Sequence, residues 1–341
     1  MRRAFLMLLP LLIGPGTFAH VGAPVDQERP APTFKLEKLT DRIWCLFGQG
    51  GNVGFLVTGA GVLVVDDQYE QLAAGIVEQI KSVTDKPIRY LVNTHYHGDH
   101  TGGNKTFIKL AEIIAHENVR GRMLDYPLVI QKTFPGRAEA IQQELTTLSD
   151  PNDAYRVSLE KDLGLMRFFM DDAARFDSKA AAPPGLTYDN RMKVWLGGQE
   201  IQIHHTGAGH TDGDSIVWFR TERVLHMGDL FFNGIYPFID TLGGGSSRGY
   251  VEGIDFALSL VPADTKVIPG HGPVTDIPTL RRTRDFLVDL RTQVEKAVRS
   301  GMSKADAIRA IKMEAYPEIK PAFRTLGNNI AVIYDELKSG Q

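Results

Sequence analysis

Short apolar runs alternate with polar and glycine-containing segments in the first half of the chain. Val53–Val57 and Val62–Val65 lie on either side of Gly59-Ala60-Gly61, a pattern that predicts a β-hairpin. Glu70–Val83 instead has apolar residues at helical spacing, and Ile88–Val92 is again a short β-forming run. The pattern predicts strands and helices in alternation, with chemistry at the strand ends, as open α/β sheets place their sites.

The pattern becomes charged and helical between residues 117 and 188. It predicts helices over Arg120–Leu128, Arg137–Leu148 and Asn152–Phe176, with breaks at Pro135-Gly136 and Asp150-Pro151. We interpret 117–188 as a helical insertion that lies over or beside the functional site. Its apolar residues are typical of a packed helix face, and a lid over the site is the alternative.

Strand-like runs return after residue 188 and are followed by amphipathic helices. The predicted strands are Val194–Leu196, Glu200–His204, Ser215–Phe219, Arg223–Met227 and Lys266–Ile268. The predicted helices are Arg248–Leu260, Thr279–Arg299 and Lys304–Glu314. The apolar stripes of the last two helices are most simply explained by a covering layer on the sheet.

The N-terminal residues have the composition of a secretory signal peptide. Arg2 and Arg3 precede an apolar stretch over 4–13 that is too short to span a bilayer, and small residues lead to Ala19. We expect a signal peptide over 1–19, a flexible leader over 20–33, and a periplasmic or secreted mature protein. A retained membrane anchor is the alternative.

The composition and net charge of the chain indicate which class of partner it binds. The 341-residue chain has a net charge of −3, and no block of Lys and Arg gives it the electrostatic footprint of a nucleic-acid-binding protein. We expect a small-molecule substrate, and no membrane association after signal cleavage. The oligomeric state stays open. Cys45, the only cysteine in the sequence, lies in an apolar run, so we expect a buried residue and not a metal ligand.

Four potential metal ligands fall within six residues directly after the Ile88–Val92 strand. They are His95, His97, Asp99 and His100, in a chain with only ten histidines, so a chance cluster is a poor explanation. Residues two apart project to the same side of extended chain, so His95 and His97 can hold one ion together. Gly98 is expected to let the backbone bend, so that the next two ligands face a second ion. Imidazole and carboxylate favour zinc, with iron or manganese as alternatives.

His-x-His-x-Asp-His after a strand resembles the signature of the metallo-β-lactamase superfamily. Three later stretches also resemble its motifs, in the same order: Gly209-His210-Thr211, Gly228-Asp229-Leu230 and Pro269-Gly270-His271. The resemblance implies an α/β (α+β) fold, an αββα sandwich of two mixed sheets flanked by helices. It places this domain at 34–300, with a C-terminal helical extension over 301–341 packed on it.

The resemblance also implies a ligand set for two metal ions. His95, His97 and His210 would hold the first ion, Asp99, His100 and His271 the second, and Asp229 would bridge them or belong to the second. An acid at Asp229 is similar to the metal site of glyoxalase-II-like hydrolases, whereas the best-known β-lactamases have a cysteine there. Asp66 or Asp67 is expected to hold a ligand imidazole, with a solvated turn as the alternative.

The function that the resemblance implies is an exported binuclear zinc hydrolase. A metal-bridging hydroxide would attack an ester, thioester, lactone, amide or phosphoester centre, and Asp99 would orient that nucleophile. The alternatives are a β-lactamase and a mononuclear iron persulfide dioxygenase. Leu230–Asn233, directly after Asp229, contains no Lys or Arg that could bind an anionic substrate. Tyr236–Ile239 and Gly243–Ser246 are expected to form an aromatic wall and a flexible loop at the site.

Overall fold

Two β-sheets face each other and enclose the centre of the molecule. The computed structural model describes residues 33–176 and 181–340, so the predicted signal peptide and nearly all of the predicted leader lie outside the described residues. The strands are β1 (Lys35–Lys38), β2 (Ile43–Phe47), β3 (Val53–Thr58), β4 (Gly61–Val65), β5 (Ile88–Val92), β6 (Glu112–His116), β7 (Leu186–Tyr188), β8 (Arg191–Leu196), β9 (Gln199–His205), β10 (Ser215–Phe219), β11 (Val224–His226), β12 (Lys266–Ile268) and β13 (Thr275–Asp276).

Both sheets are mixed. The first has the order β1-β2-β3-β4-β5-β6-β7, antiparallel up to β4 and parallel from β4 to β7. The second has the order β13-β12-β11-β10-β9-β8, in which β11 and β12 alone are parallel. The helices are α1 (Ala73–Val83), α2 (Gly98–Thr101), α3 (Asn104–Phe107), α4 (Glu117–Leu145), α5 (Ala154–Ala173), α6 (Ser247–Leu260), α7 (Ile277–Arg299), α8 (Lys304–Ala310) and α9 (Leu326–Ser339).

The apolar core of the sandwich has three layers, and a further apolar cluster lies between α4 and α5. The inner faces of the sheets meet in one cluster, where Val65 and Val92 of the first sheet lie with Val217 and Ile268 of the second. Helix α1 covers the outer face of the first sheet, and α6, α7 and α9 cover that of the second. Every residue of β4 and β10 is buried, which explains their continuous apolar runs. The expected αββα sandwich is confirmed.

The segment 117–188 is helical, but one predicted break is wrong. Helix α4 continues from Glu117 to Leu145 through Pro127 and Pro135. Pro135 and Gln131 are both exposed. Pro135 has no N–H to donate to the Gln131 carbonyl, so water can bind that carbonyl instead. The chain does break around Asp150-Pro151, and Asp153 caps α5 by accepting hydrogen bonds from two backbone N–H groups. The sequence pattern missed β7, which pairs with β6 at the edge of the first sheet.

The C-terminal residues pack on the second sheet's helical layer. Helix α8 is shorter than predicted and ends at Ala310. Helix α9 begins at a capping box formed by Thr325 and Asn328, and its buried face joins the same cluster as α6 and α7. Among the described residues, no helix is long and apolar enough to cross a bilayer.

The polar segments that follow several strands meet at one edge of the sandwich. Each predicted ligand comes shortly after a strand end: His95, His97, Asp99 and His100 after β5, His210 after β9, Asp229 after β11 and His271 after β12. Residues far apart in the chain therefore converge because the strands that carry them end at the same edge.

Candidate metal centre

Four ligand side chains form a first buried group. They are His95, His97, His210 and Asp229, and one ligand atom from each lies within 4.8 Å of all the others. His210 Nε2 is 3.0 Å from His97 Nδ1. Asp229 Oδ2 is 3.5 Å from His210 Nε2 and 3.7 Å from His95 Nε2. The structure thus brings together three histidines and one carboxylate from three separate loops.

Asp99, His100 and His271 form a second group beside the first. His271 Nε2 lies 3.2 Å from Asp99 Oδ2 and 3.4 Å from His100 Nε2. Asp229 Oδ1 is 3.1 Å from His100 Nε2 and 3.4 Å from His271 Nε2. One oxygen of Asp229 therefore faces each group, which is the arrangement of a carboxylate shared by two cations.

The donor atoms fit cations of the size of zinc. Bonds of about 2.0–2.1 Å in a tetrahedron place neighbouring ligand atoms roughly 3.3–3.4 Å apart, and the atom pairs of the first group given above are 3.0 to 3.7 Å apart. His95 Nε2 is buried without a hydrogen-bond partner among the described residues. Buried polar atoms are rarely left unpaired, and a cation would supply the partner that this nitrogen lacks.

Asp66 positions one histidine of each group. Its Oδ2 accepts a hydrogen bond from His100 Nδ1 at 2.7 Å and another from the Thr94 hydroxyl at 2.8 Å. Because that hydroxyl donates to Asp66, its oxygen can accept from His95 Nδ1, which lies 3.1 Å away. Both rings then present Nε2 to the metal groups. Asp67 contacts no ligand imidazole and instead accepts from the Gly103 backbone N–H.

His97 is held in the opposite ring orientation. Its Nε2 lies 3.0 Å from Asp240 Oδ2, so Nε2–H donates to the carboxylate and Nδ1 is left for the metal. Tyr96 also donates its hydroxyl to Asp240 Oδ2. His210 Nδ1 donates to the Phe238 carbonyl at 2.7 Å and presents Nε2. Sequence reasoning missed Asp240, because nothing local marks a single acid 143 residues from its partner.

Two imidazoles of the first group, those of His95 and His210, have lowered pKa values. Burial lowers the pKa of His95 well below its ordinary value, and the neighbouring His100 adds to the effect. Burial, followed by repulsion from His97, lowers the pKa of His210 to about 4 although Asp229 opposes the change. The rings of His95 and His210 therefore each keep a lone pair available for a cation at neutral pH.

In the second group, nearby carboxylates raise the pKa values of the histidines. Burial alone would lower the pKa of His100, but the carboxylates of Asp229 and Asp99 raise it well above its ordinary value. The same two carboxylates outweigh burial at His271 and raise its pKa to about 9. Although burial raises it, the pKa of Asp99 is lowered to about 2 by His100 and His271. Without a cation, protons on these imidazoles balance the buried carboxylates.

Two glycines near the second group have different roles. Gly51, in the loop between β2 and β3, lies so close to His100 that a Cβ at this position would overlap the imidazole ring. Gly98 begins α2, its φ is not in the left-handed region, and a Cβ there would meet nothing within 4 Å. The chain turns at Gly98, where α2 begins, and because φ lies outside the left-handed region other residues can also adopt this turn.

The other conspicuous histidines lie outside both groups. His226 is fully buried, and its Nε2 donates to the Asn52 carbonyl. His204 bonds to a strand neighbour on β9. His205 lies with its ring 3.8 Å from that of His116, in a stacked pair. Cys45 is buried and free, as predicted.

Aromatic side chains wall the centre. Phe238 stacks on His97 with ring centroids 5.7 Å apart, and Phe232 stacks on His271 at 5.2 Å. Most of the ligand side chains are nearly inaccessible, whereas Asp99 and His271 are 21% and 20% exposed. The centre therefore opens to solvent on the side of the second group.

Comparison with known proteins places these features in a family. The sequence profile of the metallo-beta-lactamase superfamily matches residues 46–127 and 149–276, a range that includes every ligand named above. The chain is 24% identical over 318 residues to the beta-lactamase-like protein 2 homolog of Caenorhabditis elegans, and the match covers 89% of this chain and 86% of that protein. It is 22% identical to the metallo-beta-lactamase type 2 of Elizabethkingia meningoseptica, over 78% of this chain and 89% of that protein.

Solved structures share the fold at low sequence identity. The sec-alkylsulfatase Pisa1 from Pseudomonas sp. superposes with a TM-score of 0.63 at 15% identity, over 89% of this chain and 50% of that chain. Such a match shows a common fold and not a common substrate. Because the profile matches well over half of the 341 residues, this chain belongs to the metallo-β-lactamase superfamily.

Proposed function

We propose that this protein is a hydrolase with a two-metal centre, with zinc the best match to its ligands, that cleaves an ester, thioester, lactone, amide or phosphoester bond. Members of the superfamily are mostly metal-dependent hydrolases. The observation that carries the proposal is Asp229, whose two buried oxygens face two separate, complete ligand groups. When bound, the cations would supply Lewis acidity and lower the pKa of a coordinated water to about 7.

The protein's own contribution begins with fixed ligand orientation. Carboxylates and a backbone carbonyl accept the second ring N–H of His97, His100 and His210, so those imidazoles cannot rotate away from the centre. Phe232 and Phe238 exclude water from the two sides that they cover. The centre is thus preorganised before substrate arrives.

Asp99 is the acid best placed to handle a proton. It is ionised at neutral pH, since its pKa is about 2, and it lies on the exposed side of the centre. Its carboxylate can accept a hydrogen bond from the attacking water and direct the oxygen lone pair toward the electrophile. As the water oxygen bonds to the electrophile, its proton can move to this carboxylate and then to the leaving group as the scissile bond breaks, which leaves Asp99 ionised again.

The completeness of the second group favours this proposal over a mononuclear iron dioxygenase. With one ion at the first group, Asp229 Oδ1 and His100 Nε2 would face each other at 3.1 Å with no cation between Asp99, His100 and His271. A β-lactamase activity is consistent with the same centre. Which bond the protein cleaves in its substrate must therefore be determined by assay.

The experiment is metal analysis of the purified protein together with a substrate panel. The panel contains an aryl ester, a thioester, a lactone, a phosphodiester, a β-lactam and an alkyl sulfate. We expect about two zinc ions per chain, one for each ligand group, and chelator-sensitive hydrolysis of one substrate class. His97→Ala should lose metal and turnover, whereas His204→Gln, which changes a histidine outside both groups, should keep them. A single iron per chain without hydrolysis would refute the proposal, as would full activity and metal content in His97→Ala.

A further inference from the structure

The loop between β2 and β3 contacts the second ligand group without supplying a ligand to it. The backbone N–H of Gly51 donates to the Asp99 carbonyl at 3.0 Å, and Gln68 Nε2 donates to the Gly51 carbonyl at 2.7 Å. The next residue, Asn52, is buried and bonds to the segment that carries His271. The loop therefore touches both stretches of chain from which the second group is assembled, the one after β5 and the one after β12.

Asn52 donates three hydrogen bonds to the segment after β12. Its backbone N–H donates to the Gly270 carbonyl at 2.7 Å. Its side-chain Nδ2 donates to the carbonyls of Pro269 and Gly272, each at 2.8 Å. Both protons of the carboxamide are thus used, and the carbonyls that they bind lie on the two sides of His271 in the chain. The backbone around this ligand is held from both ends by one buried side chain.

His271 depends on its backbone more than the other imidazole ligands do. The four other rings each have a hydrogen-bond partner at the nitrogen that faces away from the metal groups. Within residues 33–176 and 181–340, every polar contact of the His271 ring is made through Nε2, the atom that faces the second group. Stacking on Phe232 restrains the plane of the ring, but it does not fix the distance of Nε2 from Asp99. That distance is set by where the backbone lies.

Asn52 also connects this segment to the shared carboxylate. Its carbonyl accepts from His226 Nε2 at 3.1 Å, and His226 Nδ1 accepts from the Gly228 N–H at 3.1 Å. The Gly270 N–H in turn donates to the Gly228 carbonyl at 2.7 Å. Gly228 directly precedes Asp229 in the chain. These bonds fix the spacing between the segment after β12 and Asp229, and they are buried, where lost partners are costly.

We propose that Asn52 is a positioning residue for the second cation: by holding the backbone on both sides of His271, it sets the affinity of the second ligand group. The inference rests on the proposed function, since it concerns the same two-metal centre. It makes the number of ions that the protein holds depend on a contact between the two sheets. Asn52 follows β2 of the first sheet, whereas His271 follows β12 of the second.

Stepwise zinc binding by the full-length protein tests the inference without turnover. Competition with chromophoric chelators gives separate affinities for the first and second ion. Asn52→Ala should weaken binding of the second zinc by about 10- to 100-fold, the loss typical of a residue that orients a ligand, and leave the first unchanged. Asn52→Leu has a side chain of about the same size without donors and should show the same loss. Asn52→Ser can reach a carbonyl through a bound water and should lose less.

Two reference variants assign the ion that is lost. His271→Ala removes the ligand itself, so the visible spectrum of its cobalt(II) form identifies the bands of the second group, and Asn52→Ala should lose the same bands. Asn233→Ala is the matched control, because Asn233 Nδ2 donates to the Pro273 carbonyl at 2.8 Å from another part of the chain. It removes an asparagine bond to the same segment beyond the residues that flank His271, and it should bind both ions like the wild type.

A merely structural role would give a different result. It would lower the urea midpoint of the metal-free protein and weaken both ions together, and that outcome would overturn the inference. Wild-type affinity for the second zinc in Asn52→Ala, Asn52→Leu and Asn52→Ser would also overturn it, as would an equal loss in Asn233→Ala. If Asn52→Ala and Asn52→Leu do not fold, Asn52→Ser decides between these outcomes.

The same measurements keep this inference separate from the proposed function. If the wild type binds two zinc ions and hydrolyses no substrate of the panel, the hydrolase is refuted while the affinities still decide the role of Asn52. If it hydrolyses a substrate and the Asn52 variants keep the second ion, the role of Asn52 is refuted and the hydrolase stands. A wild type that takes up one ion at saturating zinc would overturn both.

Discussion

Replacement of Asp240 by asparagine should weaken metal binding at the first group, although the carboxylate touches no metal. Oδ1 accepts from the backbone N–H groups of Leu242 and Gly243 at 3.1 and 3.0 Å, and Oδ2 accepts from His97 and Tyr96. The asparagine carbonyl can keep the two backbone bonds, so the new NH₂ group takes the place of Oδ2. It then faces the Nε2–H of His97, donor against donor.

The imidazole can relieve this conflict only by moving its proton to Nδ1, the atom that serves as the ligand. Loss of such an outer carboxylate typically weakens metal binding by 10- to 100-fold, or about 1.4–2.8 kcal/mol. This loss of metal affinity is smaller than the loss expected on removal of the ligand, because His97 can still bind the metal in its less favourable tautomer.

Competition with a chromophoric zinc chelator at neutral pH measures this difference directly. Tyr96→Phe is the matched control, since it removes the other donor to Oδ2 and leaves the bond between His97 and Asp240 intact. Its effect on zinc affinity should be much smaller. Wild-type zinc affinity in Asp240→Asn, or an equal loss in Tyr96→Phe, would show that Asp240 does not set the tautomer of His97.

Three further predictions concern packing, pH and processing. Gly51→Ala should lose metal from the second group, because the new methyl overlaps a ligand ring, while Gly98→Ala should retain it; metal analysis of both variants checks this. Burial lowers the pKa of both His116 and His205, so folding favours their neutral forms and stability should fall as pH drops below about 6.5. Urea unfolding at pH 7.5 and 5.5 should show a smaller loss in His205→Gln than in wild type, and an equal loss would contradict the reasoning. We also predict export with cleavage before His20; N-terminal sequencing of exported protein that began at residue 1 would contradict it.

Much of the fold was predictable from local pattern. The continuous apolar runs of β4 and β10 correspond to buried strands, because side chains in a sheet between two apolar layers have no polar face to present. Helix α4 was misjudged at Pro135, since it continues through this exposed proline, where the carbonyl left without a donor also lies at an exposed position. Strand β7 was missed because two of its three residues are exposed, so no apolar run marks it in the sequence.

The ligands themselves were marked in the sequence, and the structure brings all seven side chains together. Several imidazole and carboxylate groups within a few residues after a strand indicate a metal site, and this signal does not depend on how the rest of the chain folds. Asp229 and His271 each follow a strand and a glycine, which is also a local signal. Short-range patterns of this kind depend on residue type and spacing alone.

Only the tertiary structure decided how the ligands are held and what lies beside them. It selected Asp66 over Asp67 and fixed the ring orientation of His97 through Asp240. It also places Arg324, from the C-terminal segment, against the ring of Phe238. These contacts join residues far apart in the chain whose types are ordinary by themselves. Their roles arise from packing of loops at one sheet edge, which no local spacing encodes.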